Sequence, residues 1–233
     1  MKTIILSLFL SFTALCNAQY QPLGKGEIID HEYFSLSYVE RHEQAEWVYY
    51  KITRGTTERT NDFREDTDIN TESASLGDYK GSGYDRGHLC PAADMKINKL
   101  AMSESFLLSN MSPQLPGFNR GVWKRLEAKV RGWGYRHDTY VATGPIFRDN
   151  RGFIGENEVT IPGAYYKVVY QPSTNLMIGF ILSHQKSEAS LVSFVVPVDY
   201  VESLTSIDFF PQLEDELEVR LESTRGNINA WNN

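Results

Sequence analysis

"AYYKVVYQPSTNLMIGFILS", residues 164–183, is two strand-like runs joined by a short turn. Residues 164–171 and 176–183 are rich in aromatic, β-branched and other apolar side chains, as strands are. Pro172, Ser173, Thr174 and Asn175 between them are turn formers and make a hairpin connection, so the pair is antiparallel. Working outward, "AEWVYYKIT" (45–53) and "TYVATGPIF" (139–147) read as further strands. Val122, Leu126 and Val130 recur every four residues and predict an amphipathic helix over 119–131. Residues 97–110 begin with helix formers and end in an extended turn, 198–208 read as a short helix, and 55–82 as a long polar connection. Strands and helices mix without a regular βαβ alternation. The expected class is therefore α+β, with a mostly antiparallel central β-sheet flanked by helices.

The N-terminus bears on the compartment. Met1-Lys2 is followed by an apolar run over 4–15 and then Cys16-Asn17-Ala18, which reads as a signal peptide cut after Ala18. A secreted or periplasmic protein is expected, with residues 19–233 forming a single domain whose core spans roughly 30–222. Only Cys90 would then remain, so no intrachain disulfide is expected. No other stretch is long and apolar enough to span a membrane.

The net charge is −7. A passive nucleic-acid coat is usually basic, because its affinity comes from neutralising phosphates; an enzyme that handles one phosphate with local cations is not excluded. The charge is uneven. Residues 119–137, "NRGVWKRLEAKVRGWGYRH", are basic, whereas 211–222, "PQLEDELEVRLE", are acidic.

Chemistry concentrates in "YDRGHLCPAADM" (84–95), "FLLSNMSPQ" (106–114) and "FNRGVWKRLE" (118–127). A lone histidine among glycines is usually a turn residue, Asp85 could simply pair with Arg86, and Asn119 would be a good helix N-cap. The ordered set changes that reading. With weaker agreement at 36–53, 141–147 and 159–169, it resembles the DNA/RNA non-specific endonuclease family, the ββα-metal or His-Me finger nucleases of the endonuclease G type. The resemblance implies a ββα-metal finger: two strands, the first carrying the histidine segment, then the helix with Asn119. It implies His88 as general base, Asn119 as the direct protein ligand to Mg²⁺ (Mn²⁺ substituting), and Glu127 holding the metal's water shell. Arg86 would stand beside the scissile phosphate and Asn110 would support the site. For the family's upstream phosphate-binding arginine, Arg59 is the better match and Arg64 the alternative. DNA and RNA are the implied substrates, with 5′-phosphate products; the oligomeric state is left open.

The residue types suit the reaction. An unperturbed histidine titrates near pH 6.5 and can take a proton from water. Mg²⁺ prefers oxygen and keeps several waters, so one asparagine carbonyl suffices as protein ligand. Arginine's fork matches phosphate oxygens. Two rivals share the motifs: a small-nucleotide phosphodiesterase with a closed pocket, and a non-catalytic secreted nucleic-acid-binding protein. Zinc at His88, Cys90 and Asp94 is not expected, because no second Cys or His cluster completes four ligands. Cys90 is expected to be a buried residue with no chemical role.

Overall fold

A computed structural model describes residues 18–232; the expected signal segment, Ala18 apart, lies outside the described residues. Strands follow in chain order: β1 (Glu27–Asp30), β2 (Phe34–Val39), β3 (Gln44–Lys51), β4 (Asp85–His88), β5 (Met111–Gln114), β6 (Tyr140–Ile146), β7 (Phe153–Ile154), β8 (Val159–Thr160), β9 (Ala164–Gln171), β10 (Leu176–Ser183) and β11 (Val195–Val196). Seven of them form one sheet in the order β1-β2-β3-β6-β9-β10-β11. Every neighbouring pair is antiparallel. The 164–183 hairpin is β9–β10, paired in unbroken register from Ala164↔Ser183 to Gln171↔Leu176. The α+β, antiparallel expectation holds.

Both faces of this sheet are covered, which is why its central strands read as near-continuous apolar runs. In β9, Tyr165 and Val169 join one core, whereas Tyr166, Val168 and Tyr170 join the other, the period-2 alternation of a strand. The first core packs against the finger through Phe118, Val122, Trp123, Leu126, Val130 and Trp133. The second takes Val198, Val201, Ile207, Phe209 and Phe210, from the helix Val198–Thr205 and the segment after it. A further helix, Asp215–Glu222, lies beside it.

The finger is a two-stranded sheet, β4–β5, with Asp85↔Gln114, Arg86↔Pro113, Gly87↔Ser112 and His88↔Met111 opposed. Gly87 is required by close approach: a Cβ there would lie 2.2 Å from the Gln114 side chain. The central sheet grips β5. Ser112 Oγ donates to Gln44 Oε1 at 2.6 Å, the Tyr165 hydroxyl donates to the Pro113 carbonyl at 2.8 Å, and Leu115 N donates to His184 Nε2 at 2.7 Å. The polar segment 54–75 crosses the finger. It is clipped to the sheet edge by His31, whose Nε2 lies 3.0 Å from Asp66 Oδ2 and whose Nδ1 lies 3.6 Å from Asp68 Oδ2.

Three differences from the sequence reading stand out. The expected 119–131 helix is a π-type turn, Phe118–Trp123, followed by an α-helix, Lys124–Gly134. The break falls at Gly121 (φ −105°, ψ −110°), where the missing Cβ frees the backbone from helical geometry. Asn119 therefore sits inside that turn and is not an N-cap; its side chain is committed elsewhere. The expected strand set lacks β1 and β2, although Phe34, Leu36 and Tyr38 do alternate inward in the first core. The acidic stretch, lastly, holds the helix Asp215–Glu222, absent from the expected helices.

Candidate active site

His88 ends β4, and Arg86, two residues earlier, projects to the same face of the strand. The residue is half-buried, but its Nε2 is fully enclosed and has no hydrogen-bond partner. Phe106 (5.0 Å between ring centroids) and Phe63 (5.7 Å) stand edge-on to the imidazole. The same two rings carry the arginines: Arg86 lies 4.1 Å from the Phe63 centroid and Arg59 4.8 Å from that of Phe106, both within cation–π range. One aromatic pair thus spaces an imidazole and two cations. Burial, and then the charges of Arg59 and Arg86, push the His88 pKa down to about 3, so the free imidazole is neutral at pH 7.

The opposite wall comes from the π-turn and the helix. Asn119 Nδ2 donates to Asp85 Oδ2 at 2.9 Å. An ionised carboxylate only accepts, so this bond selects the nitrogen and leaves Oδ1 for the cavity. Asp85 is itself held by the Arg120 guanidinium, at 2.9 and 2.6 Å. Glu127, two turns along, lines the same hollow of about 440 Å³ with Arg59, Arg86, His88, Asn119, Arg120 and Arg131. The structure therefore brings together five of the expected residues, His88, Arg86, Asn119, Glu127 and Arg59. Arg64 is not among them: its Nη1 donates to the Ser103 carbonyl at 3.0 Å and to Asp62.

Asn110 is also outside the cavity. It is fully buried; its Oδ1 accepts from Cys90 N at 2.8 Å, and its Nδ2 donates to the carbonyls of Cys90 (2.9 Å) and Ser105 (2.8 Å). It can touch no substrate and instead fixes the chain just after His88. Cys90 is free and buried, and burial pushes its thiol well up. His88, Cys90 and Asp94 form no ligand group among the described residues.

A charged floor lies under Glu127, and motif reading missed it. Lys167 of β9 is fully buried, with no hydrogen-bond partner on Nζ, 5.0 Å from the Trp123 ring centroid. Arg131 Nε donates to Asp94 Oδ1, and the Tyr50 hydroxyl donates to Asp94 Oδ2 at 3.2 Å. Burial raises the Glu127 pKa; Lys167 pulls it back most, Asp94 pushes it further up, and Arg131 and Arg59 pull it down. Burial lowers Lys167, while Glu127 and Asp94 hold it up. The one visible signal was a lone cation inside the apolar run "AYYKVVYQ". Asp85 was noticed, but its role depends on a contact 34 residues away.

Volume does not single out this site. Another hollow of about 440 Å³ is lined by Lys25, His42 and Phe147 among others, but its histidine is occupied: Nδ1 bonds Thr160 Oγ1 at 3.0 Å and Nε2 accepts from Arg41 at 3.1 Å. Chemistry distinguishes the finger. Two oxygen donors, Asn119 and Glu127, share the hollow with a half-buried imidazole, and the lack of nitrogen or sulfur donors between them suits a hard, oxygen-seeking cation.

A two-stranded finger and helix presenting a histidine, an asparagine and arginines around one hollow define a nuclease-type site. The DNA/RNA non-specific endonuclease profile matches residues 13–216, and the chain belongs to that family. It is 34% identical over 212 residues to Nuclease C1 of Cunninghamella echinulata var. echinulata, covering 81% of this chain and 84% of that protein. It is 31% identical over 218 residues to human endonuclease G, mitochondrial, covering 84% and 73%. Its fold matches a crystal structure of an EndoG/EndoGI complex with a TM-score of 0.76 and 30% identity, over 83% of this chain and 89% of that one. The chain is a nuclease.

One expectation is corrected here. The similar proteins whose names state a compartment are mitochondrial, which overturns the reading of a secreted or periplasmic protein. A positively charged start is common to sorting segments for more than one destination, so the pattern by itself does not choose between them. Among the described residues, no helix is long and apolar enough to cross a membrane.

Proposed function

We propose that this nuclease is a metal-dependent endonuclease that hydrolyses phosphodiester bonds in DNA and RNA with little sequence preference, leaving 5′-phosphates. The observation that carries the reading is the single hollow that the half-buried imidazole of His88 lines together with Arg59, Arg86, Asn119 and Glu127. His88 takes a proton from the attacking water. In the free protein its basicity is suppressed first by burial and then by the charges of Arg59 and Arg86. A phosphate seated between those guanidiniums offsets part of their charge, so the imidazole becomes a stronger base once substrate is present.

Arg59 and Arg86 hold the non-bridging phosphate oxygens with fixed forks. Asp85 orients Asn119, and Lys167 and Arg131 offset part of the burial that raises the Glu127 pKa to about 7. Mg²⁺, or Mn²⁺ in its place, held by Asn119 directly and by Glu127 through water, would supply positive charge to the phosphate and leaving oxygen. Little base preference follows from a rim of cations, Arg59, Arg86, Arg120 and Lys124, all exposed: such groups read phosphate and not base edges. An exposed rim also favours a polymer crossing the site over a small nucleotide enclosed in it.

Supercoiled plasmid and RNA, each incubated with the purified protein with and without EDTA, test the reading. Cleavage of both polymers that EDTA abolishes is expected. Hydrolysis of small phosphodiesters with intact plasmid would favour the closed-pocket phosphodiesterase, and binding without cleavage the non-catalytic protein.

A further inference from the structure

The acidic stretch 211–222 has no part in the active site. It folds into the helix Asp215–Glu222, which packs beside Val198–Thr205, on the face of the sheet opposite the finger. Carboxylates converge between the two helices. One oxygen from each of Asp199, Glu202 and Glu222 lies within 4.8 Å of the others. Glu222 is only 6% exposed, yet its Oε1 is enclosed and has no hydrogen-bond partner. Glu218, one turn back, presents a second enclosed, unpartnered Oε1. Among the described residues, Glu202 alone of the three receives a hydrogen bond, from Phe209 N at 2.9 Å.

Among the described residues, no lysine, arginine or histidine pairs with Asp199, Glu202 or Glu222. Glu222 is also the last residue of its helix, where the negative end of the helix dipole opposes a carboxylate. Burial and the surrounding carboxylates push Glu222 up to about 9 and Glu202 up to about 7. A buried acidic group without a counter-charge takes up either a proton or a cation. The geometry suits a cation: oxygens bound to one Ca²⁺ at about 2.3–2.6 Å lie no more than about 5 Å apart. Asp199 is exposed, so water can complete the flexible shell that Ca²⁺ accepts and that Mg²⁺, which demands a near-octahedral shell, fills less readily.

We propose that Asp199, Glu202 and Glu222 form a structural Ca²⁺ site that clamps the two C-terminal helices together, separate from the nuclease centre. Binding at this site stabilises the folded chain and takes no part in hydrolysis.

The test is thermal unfolding of metal-stripped protein, followed by circular dichroism, without nucleic acid at pH 7.5. Ca²⁺ at about a hundred times its Kd should raise the Tm by roughly 5–10 °C, with a smaller shift from Mg²⁺ at equal concentration. Asn119→Ala should keep the Ca²⁺ shift, since the active-site ligand is elsewhere. Glu222→Gln should melt no lower than wild type in EDTA and lose the shift. Should Glu222→Gln fail to fold, Asp199→Asn at the exposed position carries the same test. The proposal is overturned if Ca²⁺ leaves the wild-type Tm unchanged; a Tm that then falls as pH rises from about 5 to 9 assigns protons to the carboxylates instead. A shift that survives in both carboxylate variants, that disappears in Asn119→Ala, or that Mg²⁺ matches also overturns it.

Discussion

Replacing Asp85 with alanine should cripple metal use while leaving the fold intact. Asp85 accepts the Asn119 amide nitrogen at 2.9 Å, and this is the bond that aims the amide oxygen at the cavity. A hydrogen bond to an ionised group contributes about 1.5–3 kcal/mol, which is roughly a 10- to 150-fold preference for one amide orientation over the flipped one. Loss of an outer-shell partner typically costs about 10- to 100-fold in metal affinity or activity, in agreement. The Asp85–Arg120 ion pair adds little to stability, since the Arg120 side chain is 73% exposed. Plasmid cleavage by Asp85→Ala should therefore need about 10- to 100-fold more Mg²⁺ for half-maximal rate, with a Tm close to wild type. Asp85→Asn retains an acceptor for Asn119 Nδ2 and should recover most of that loss. If the Mg²⁺ midpoint of Asp85→Ala stays within twofold of wild type, Asp85 does not orient a metal ligand and the role given to Asn119 is wrong.

Further outcomes follow from the same geometry. His88→Ala should lower plasmid cleavage by about 10²- to 10⁴-fold with unchanged circular dichroism; near-normal turnover would remove His88 as the base. Lys167→Met removes the largest charge lowering the Glu127 pKa. More Glu127 is then protonated at a given pH, so the acid limb of the pH–rate profile should move to higher pH, and an unmoved or lowered limb contradicts the charged floor. Cys90→Ala should retain full Mg²⁺-dependent cleavage, because the thiol is enclosed and faces no reacting group; loss of activity with retained fold and metal response would implicate the thiol in the reaction.

The amino-acid order by itself determined the elements whose pattern is local. The 164–183 hairpin is legible because eight-residue apolar runs flank a turn made of residues suited to turns. The finger helix shows through Leu126 and Val130 because its buried stripe follows helical spacing. His88, Arg86, Asn119 and Glu127 are legible because each lies in a short run whose order resembles a known family. β1 and β2 are less so, since β1 is an edge strand of only four residues and serine interrupts the apolar residues of β2.

Tertiary structure decided whatever depends on residues distant in sequence. It placed Arg59 and not Arg64 at the cavity, because segment 54–75 has no regular periodicity and its path is set by contacts such as His31–Asp66 and Arg59–Phe106. It committed Asn110 to backbone groups at Cys90 and Ser105, and gave Asp85 the task of orienting Asn119. It also turned Lys167 from an oddity in a strand into the counter-charge for Glu127. In each case the deciding term is an electrostatic or hydrogen-bond energy that falls off within a few ångströms, and sequence spacing does not encode such distances across a fold.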